Sequence, residues 1–399
     1  MTNEKKTSLK IIIIFYSILF VFLLMFAEIF LSIFDREEIL VRGDDPVMVY
    51  SLIPEKSGTA MTPEYRVNVT IDSYGMRNCR KPYLNLNNSL LILGDSFSEG
   101  WGVDCEKSFP GILSASFPDF QIWNGGAHGG SLSYYILRSR YYNDIVKPTH
   151  LLLQIFDNDL DDLDKIHEMI TFDSNGFIVK ANPKGLIFIP PGKLSSFIKN
   201  LSLFRFTKRL VSKLKGIPTP IKYYSTGREP EEATLSHEDA VIKYGKLEYI
   251  KNISEEYNGQ FEFYKYNKNT MPEAWKSKFS RFELYLNQFY SEAISKNPDI
   301  KIAILYIPAK EVFAEGGIDG SFKNKSGKFI RRDINSLETN NELFILLKNF
   351  SSYKKVKLIN GLNIYYENPE SLYFPGDAHL NSAGHAVTAD AVKKWILEK

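Results

Sequence analysis

Cysteine is almost absent from the 399-residue sequence, which has only Cys79 and Cys105 and no CxxC pair. Zinc and redox motifs built on paired cysteines are therefore not indicated. A disulfide bond between the two cysteines stays open. The bond would need an oxidising compartment and a close approach of the two Cα atoms. The spacing of the cysteines in the sequence does not show whether their Cα atoms are close.

An excess of one charge is also missing. The 49 Lys and Arg residues nearly balance the 47 Asp and Glu residues, for a formal net charge of +2. The overall charge therefore does not indicate a nucleic-acid partner. The GxSxG, HExxH, P-loop and GxGxxG patterns are absent as well. The absence of these motifs excludes the α/β-hydrolases that carry GxSxG, the HExxH metalloproteases and the two classes of nucleotide-binding loop.

A cluster of aspartates is the one feature that suggests a metal. Its members are Asp157, Asp159, Asp161, Asp162 and Asp164. The cluster lacks the glycine and the terminal glutamate of an EF-hand loop. We favour a solvated loop or a helix start over a calcium site, and predict no metal ion and no organic cofactor.

One long apolar run is present near the N-terminus. Residues 11–34 have only Ser17, Glu28 and Ser32 as clearly polar members, and a helix of this length spans about 36 Å, enough to cross a bilayer core of about 30 Å. Basic residues precede the run and acidic residues follow it: Lys5, Lys6 and Lys10, then Asp35, Glu37 and Glu38. The positive-inside rule places residues 1–10 in the cytoplasm and the rest of the chain outside. A cleaved signal peptide is the alternative, which the length of the run and the lack of a small-x-small site disfavour.

The remainder divides into three parts. Residues 35–88 form a turn-rich lead-in. An alternating pattern at 65–71 predicts a strand there, and the residues at 72–75 predict a turn after it. Residues 89–399 form the main domain, which an insertion interrupts at about 161–270. Within the insertion, residues 193–215 carry seven basic residues and no acidic one. We favour a helix with a solvated basic face there over a helix lying on an anionic membrane.

Short apolar runs alternate with helical patterns in the main domain. Strands are predicted at 90–93, 120–123, 150–155, 300–306 and 356–359, and helices at 109–117, 131–143, 273–296 and 382–397. This alternation predicts an α/β fold of three layers, α/β/α, with a central parallel sheet.

Small and polar residues follow three of the predicted strands, at 94–96, 124–130 and 157–159. Ligands of an open parallel sheet bind beyond the carboxyl ends of its strands, so we expect these loops to converge. Ser96 comes directly after the first of these strands. A serine hydroxyl becomes a useful nucleophile only when a base takes its proton.

The base could come from the C-terminal part of the chain, where His379 follows Asp377 by two positions. A carboxylate can fix the tautomer of an imidazole and stabilise its cation. The alternative is a helix start, with Asn381 or Ser382 as the cap and His379 as an incidental loop residue. The chemistry of these residues alone leaves both interpretations open.

Four blocks of the sequence resemble, in order, those of the SGNH (GDSL) hydrolase family. Residues 91–98, Leu-Ile-Leu-Gly-Asp-Ser-Phe-Ser, look like the family's apolar strand followed by GDS. Residues 124–129, 156–159 and 377–379 look like its glycine loop, its GxND block and its last block. The resemblance covers residues 90–160 and about 273–395, and implies an SGNH, flavodoxin-like fold. Residues 68–78 also resemble the stretch before GDS in bacterial relatives with an N-terminal membrane span.

This resemblance assigns roles to particular residues. It makes Ser96 the nucleophile, His379 the base and Asp377 the residue that orients the base. The oxyanion hole would consist of the N–H groups of Ser96 and Gly129 and the side-chain amide of Asn158. The family's chemistry needs no metal or organic cofactor.

Two positions depart from the family pattern. Phe156 stands where the family usually has glycine, which is expected to narrow the site. One residue separates Asp377 from His379, where the common pattern has two. The shorter spacing looks like that of SGNH proteins acting on extracytoplasmic polysaccharides.

We therefore predict a serine esterase of the cell membrane whose catalytic domain is extracytoplasmic. Its predicted substrate is an acylated envelope glycan or lipid with O-acetyl or similar groups, and its predicted membrane contact is through residues 11–34. One alternative is an O-acyltransferase that modifies an envelope polysaccharide. A second is a non-catalytic glycan-binding protein on an SGNH scaffold, which the two departures motivate.

Overall fold

The computed structural model describes residues 9–34, 42–61, 64–82, 88–182, 222–223, 262–267, 269–313, 332–374 and 377–398. The chain forms two compact units, residues 1–39 with 187–230 and residues 40–186 with 231–399. Most of the predicted insertion, including the predicted basic helix at 193–215, lies outside the described residues.

The elements are numbered here in chain order. The described α-helices are α1 (Leu9–Phe34), α2 (Ser96–Glu99), α3 (Phe109–Ser116), α4 (Leu132–Val146), α5 (Asn158–Asp161), α6 (Glu273–Lys296), α7 (Ile334–Asn340), α8 (Glu342–Lys354), α9 (Gly361–Tyr365), α10 (Pro369–Leu372) and α11 (Ser382–Leu397). The described strands are β1 (Arg42–Asp45), β2 (Val49–Leu52), β3 (Ser57–Met61), β4 (Arg66–Thr70), β5 (Asn88–Leu93), β6 (Phe120–Asn124), β7 (His150–Phe156), β8 (Ile170–Phe172), β9 (Ile178–Ala181), β10 (Lys222–Tyr223), β11 (Lys301–Ile307) and β12 (Lys357–Asn360).

The first unit contains α1 and β10. The backbone of α1 is helical over 26 residues, while its side chains are described only at positions 12 and 14–30. Most of those side chains are apolar and exposed, among them Phe15, Phe20 and Phe26. Within the residues that the structure describes, no helix is both long and apolar enough to span a membrane.

The second unit begins with the lead-in, which forms antiparallel β structure. β1 pairs with β2, and β3 pairs with β4. β4 lies at the predicted strand, and its burial alternates: Val67 and Val69 are buried, whereas Asn68 is exposed. The predicted turn follows, closed by the Asp72 carboxylate, which accepts the N–H of Tyr74 (2.8 Å).

A five-stranded parallel sheet forms the centre of the second unit, in the order β12-β11-β7-β5-β6. Each of the five strands lies at one of the predicted apolar runs. β7 is buried along its whole length, as expected of a parallel strand covered on both faces.

Helices cover both faces of this sheet. The chain passes from β5 through α3 to β6 in one direction, then back through α4, α6 and α8 towards β12. Since such crossovers are right-handed, α3 lies on one face and α4, α6 and α8 lie on the other. The contacts agree: α4 packs on α6, and the C-terminal α11 packs on α3. The predicted three-layer α/β fold is therefore confirmed.

Two further features of this unit concern the lead-in and the insertion. Cys79 and Cys105 form a disulfide bond, with their Cα atoms 5.5 Å apart. The described start of the insertion contains the β8–β9 hairpin. The hairpin is held to α6 because the Ile178 N–H donates to Gln288 Oε1 (2.9 Å), while Gln288 Nε2 donates back to the Ile178 carbonyl (2.7 Å).

Candidate active site

Ser96 lies where β5 turns into the short helix α2. Gly94 allows this turn, because a Cβ at that position would overlap Gln154 Oε1. The same oxygen accepts the N–H of Asp95 (3.1 Å). The Asp95 carboxylate then caps α2 by accepting the N–H of Phe97 (2.9 Å). These contacts hold Ser96 at the carboxyl edge of the sheet.

His379 and Asp377 meet Ser96 at this edge. His379 Nε2 lies 2.6 Å from Ser96 Oγ, and its Nδ1 is hydrogen-bonded to Asp377 Oδ1. The backbone N–H of His379 donates to the same carboxylate oxygen (3.0 Å). A proton on Nδ1 leaves the Nε2 lone pair directed at the serine hydroxyl. The structure thus brings the three residues of the predicted triad into one hydrogen-bonded chain.

Burial and charge shift the pKa values of Asp377 and His379 in opposite directions. Burial disfavours charge, so alone it would raise the pKa of Asp377 and lower the pKa of His379. The mutual attraction and the hydrogen bonds outweigh burial: they lower the pKa of Asp377 to about 2 and raise the pKa of His379. The carboxylate therefore stays ionised and strengthens the imidazole as a base.

The alternative interpretation of this segment is right about the helix start but wrong about His379, which contacts Ser96 and Asp377 and is not an incidental loop residue. Asn381 caps α11 by accepting the N–H groups of Ala383 (2.9 Å) and Gly384 (3.1 Å). The cap fixes the start of α11 just after His379. In this segment, a capped helix therefore presents the preceding loop to Ser96.

Two residues that donate hydrogen bonds to Asp377 are not predicted from the sequence. The hydroxyl of Tyr65, in the lead-in, donates to Asp377 Oδ2 (2.9 Å). Lys310 Nζ donates to the carbonyls of Asp377 (2.9 Å) and Phe374 (2.8 Å). Neither residue belongs to a recognisable motif, and both lie far from Asp377 in the chain, so no sequence signal could have found them.

Aromatic rings surround the imidazole of His379. The ring centroids of Phe97 and Trp101 lie 4.9 and 5.8 Å from that of His379. Phe156, the departure from the family's glycine, is buried and packs on Phe97 at 4.3 Å. Its ring therefore forms part of the apolar wall behind the base.

The predicted oxyanion residues lie at the ends of the two strands that flank β5. Gly129 follows β6 and has φ +71°, a left-handed conformation that suits glycine. Asn158 is the first residue of α5 and lies two residues after the end of β7. Its Oδ1 is buried and has no hydrogen-bond partner among the described residues. Both residues are thus at the same edge of the sheet as Ser96, because all three strands are parallel.

Comparison with known proteins gives remote similarities only. No model of a known protein family and no curated protein matches the chain. Among solved structures, it is similar to a member of the lipolytic G-D-S-L family from Veillonella parvula (12% identity, TM-score 0.33, covering 77% of this chain and 96% of that one). It is also similar to the psychrotrophic esterase EstA from a Pseudoalteromonas species (11%, 0.35, 78% and 100%) and to the acetyl xylan esterase AlAXEase (10%, 0.37, 77% and 100%). Similarities this low carry no inference about activity.

A second imidazole–carboxylate pair lies beside the first. Glu99 ends α2, is buried, and accepts both the ring Nδ1 (2.8 Å) and the backbone N–H (2.7 Å) of His128. Burial would raise the pKa of Glu99, but His128 and Arg77 lower it. The ring of Trp101 lies 4.9 Å from that of His128. Glu99 thereby fixes the residue that precedes Gly129.

Two of the aspartates after β7, Asp157 and Asp159, are not solvated. Asp157 is fully buried and accepts the hydroxyl of Tyr306 (2.6 Å) and the N–H of Ala309 (2.6 Å). Asp159 is also buried and accepts the hydroxyl of Tyr135 (2.6 Å). The expectation of a solvated loop is therefore wrong for these two residues, although the predicted helix start is present as α5. The described residues include no cluster of His, Cys, Asp and Glu that could hold a metal ion.

Asp157 should make stability depend on pH. Burial raises its pKa to about 7 against its hydrogen bonds, from an ordinary value of 3.8. A raised pKa means that the folded state holds the Asp157 proton more tightly than the unfolded state does. The resulting contribution to the free energy of unfolding is complete below pH 3.8 and is lost as pH rises towards 7. We therefore expect Asp157→Asn to reduce the fall in melting temperature between about pH 5 and about pH 8. The effect should be measurable, because a tenfold difference in proton affinity between the folded and unfolded states is worth about 1.4 kcal/mol.

Thermal unfolding followed by circular dichroism checks this expectation. The exposed Asp390→Asn is the matched control, because its side chain is 67% exposed and its variant should keep the wild-type pH dependence. Equal pH dependence in the wild type and Asp157→Asn would contradict the assignment.

Proposed function

We propose that this chain is a serine esterase of the SGNH type that hydrolyses acyl esters through an acyl-serine intermediate. The observation that carries the proposal is the hydrogen-bonded chain from Ser96 through His379 to Asp377, with 2.6 Å between Ser96 Oγ and His379 Nε2. A base in contact with the hydroxyl, itself oriented by an ionised carboxylate, is the arrangement that activates a serine.

In the acylation step, Ser96 Oγ attacks the carbonyl carbon of the ester while its proton passes to His379 Nε2. The negative charge on the carbonyl oxygen is held by the N–H groups of Ser96 and Gly129 and by the amide of Asn158. Each such donor contributes roughly 3 kcal/mol to the barrier reduction. His379 then gives its proton to the departing alcohol.

In the second step, His379 takes a proton from the acceptor as the acceptor attacks the carbonyl carbon of the acyl-serine. The bond from this carbon to Ser96 Oγ then breaks, and His379 returns the proton to Ser96. Water as the acceptor gives hydrolysis, and a sugar hydroxyl gives O-acyl transfer. The proposed substrates are acyl esters, O-acetyl or similar, on a glycan or lipid of the cell envelope. The short Asp377–His379 spacing supports the glycan.

The proposed location is the outer side of a cell membrane, with residues 11–34 as an uncleaved anchor. Support comes from the basic residues before this run and the acidic residues after it. The exposed apolar side chains of α1 are a second support, because water disfavours so large an apolar surface. The disulfide between Cys79 and Cys105 also suits an oxidising compartment.

Mass spectrometry of the intact full-length protein tests the nucleophile and the donor together. We expect a fluorophosphonate to add once, at Ser96, and 4-nitrophenyl acetate to leave a transient acetyl group on the same residue. O-acetylated polysaccharides and acyl lipids, offered in parallel, identify the natural donor by the adduct each leaves.

His379→Ala is the matched control, since it keeps Ser96 but removes its base, and it should label far more slowly. A label on another residue would contradict the assignment of Ser96. Glycan binding without any adduct on the wild-type protein would favour a non-catalytic binding protein instead.

A further inference from the structure

The lead-in contacts the predicted triad directly. Tyr65 stands just before β4 and is 6% exposed, and its hydroxyl donates to Asp377 Oδ2. Its ring packs on Phe374 at 4.9 Å. The other carboxylate oxygen, Oδ1, serves His379. The two oxygens of Asp377 are therefore shared between the base and a tyrosine of the lead-in.

A second tyrosine of the lead-in contacts the glycine loop. The hydroxyl of Tyr50 donates to the carbonyl of Gly129 (2.7 Å). Tyr50 itself is fixed, because its ring stacks on Tyr134 at 4.1 Å and its carbonyl accepts the Tyr134 hydroxyl (2.9 Å). One side of Gly129 is therefore held by Tyr50, while Glu99 holds His128 on the other side.

Three further residues of the lead-in, Arg77, Asn78 and Cys79, contact the segments that follow α2 and end β6. The Arg77 guanidinium is buried and donates to the carbonyls of Glu99 (3.1 Å) and Val103 (2.7 Å). Asn78 Oδ1 accepts the N–H of Asn124 (2.7 Å), at the end of β6. With the disulfide from Cys79 to Cys105, these contacts join the end of the lead-in to the segments next to Ser96 and Gly129.

We propose that the lead-in is a working part of the active site, in which Tyr65 positions Asp377 and moderates its attraction for the proton of His379, and Tyr50 positions the Gly129 loop. This inference rests on the proposed esterase function. It makes both tyrosines positioning residues, since each acts through another group.

The direction in which Tyr65 shifts the pKa values of Asp377 and His379 follows from its hydrogen bond. Its hydrogen bond stabilises the Asp377 anion and so lowers the pKa of that carboxyl. Without the hydroxyl, the carboxylate attracts the His379 proton more strongly, and the pKa of His379 rises further. Since only the neutral imidazole can act as the base, the acid limb of the activity profile moves to higher pH.

Tyr65→Phe tests this in the full-length protein. We expect the acid limb to move to higher pH by about 0.5 to 1, so that kcat/KM for 4-nitrophenyl acetate falls roughly 3- to 10-fold on that limb. The pKa of His379 is measured independently, by nuclear magnetic resonance of isotope-labelled histidine, with the resonance assigned from its absence in His379→Gln. A fluorinated tyrosine at position 65, whose more acidic hydroxyl donates more strongly, should move the pKa of His379 the opposite way.

Tyr365→Phe is the matched control. It also removes a buried tyrosine hydroxyl, one bonded to Thr388 Oγ1 (2.7 Å), and should leave the pKa of His379 unchanged. Tyr50→Phe should lower kcat without moving the limb, because the Tyr50 hydroxyl donates to the carbonyl of Gly129, whereas the hydroxyl that Asp377 Oδ2 accepts is that of Tyr65.

An unchanged pKa of His379 in Tyr65→Phe would overturn the inference about Tyr65, and unchanged kcat in Tyr50→Phe would overturn the inference about the loop. Failure of the proposed function looks different, because the wild-type protein would then hydrolyse no ester while the His379 titration could still be measured.

Discussion

Ser96→Ala should lose ester hydrolysis almost completely, by roughly 10⁴- to 10⁶-fold in kcat. The hydroxyl is the group that His379 Nε2 contacts at 2.6 Å, and alanine leaves the base with no proton to accept. Binding of the ester should change little, because alanine removes one oxygen from a residue that is already buried. Hydrolysis of 4-nitrophenyl acetate and labelling by a fluorophosphonate measure the loss.

Ser98→Ala is the control for this variant. Ser98 lies in the same short helix, and its hydroxyl donates to Gln154 Oε1 (3.0 Å) and not to an imidazole. It should keep most of its activity and all of its labelling. Retained turnover in Ser96→Ala, with a melting temperature equal to that of the wild type, would exclude Ser96 as the nucleophile.

Asp377→Asn should have the second largest effect, a loss of about 10⁴-fold in kcat. Asp377 Oδ1 accepts from both the ring Nδ1 and the backbone N–H of His379. An asparagine amide can donate to Nδ1, which favours the tautomer whose proton is on Nε2. That tautomer cannot take the proton of Ser96. The variant also lacks the negative charge that raises the pKa of His379, so its residual activity should extend to lower pH.

Glu99→Gln provides the comparison, because it makes the same carboxylate-to-amide change at the other imidazole, that of His128. We expect a smaller loss there, since the structure records the contact with Ser96 Oγ for His379. A larger loss in Glu99→Gln than in Asp377→Asn, measured with the same ester and at the same pH, would mean that the wrong imidazole has been assigned to Ser96.

The secondary structure of the main domain is accessible from the sequence because its signals are local. α6 and α11 begin and end at the predicted residues, 273–296 and 382–397. In α11, the Asn381 cap marks the start. Strand β7 is predicted by a continuous apolar run, because a strand that is buried on both faces has apolar residues at successive positions.

The parts of the site that escape prediction depend on contacts between distant segments. The sequence identifies Tyr65 only as a strand residue, because its partner Asp377 is 312 positions away. The sequence predicts a solvated loop or a helix start around Asp157, and only the fold shows that Tyr306 and Ala309 satisfy its carboxylate. The cysteine pairing has the same limit, since the sequence gives the separation of 26 residues but not the approach of the two Cα atoms.

The distance along the chain between Ser96 and His379, 283 residues, also dictates when the protein can act. During synthesis Ser96 emerges long before His379, so under the proposed function a nascent chain carries the serine without its base. The base arrives only when α11 docks beside α3, a non-local contact of the kind that slows folding. Under the proposed function, catalytic activity therefore reports that α11 has docked beside α3.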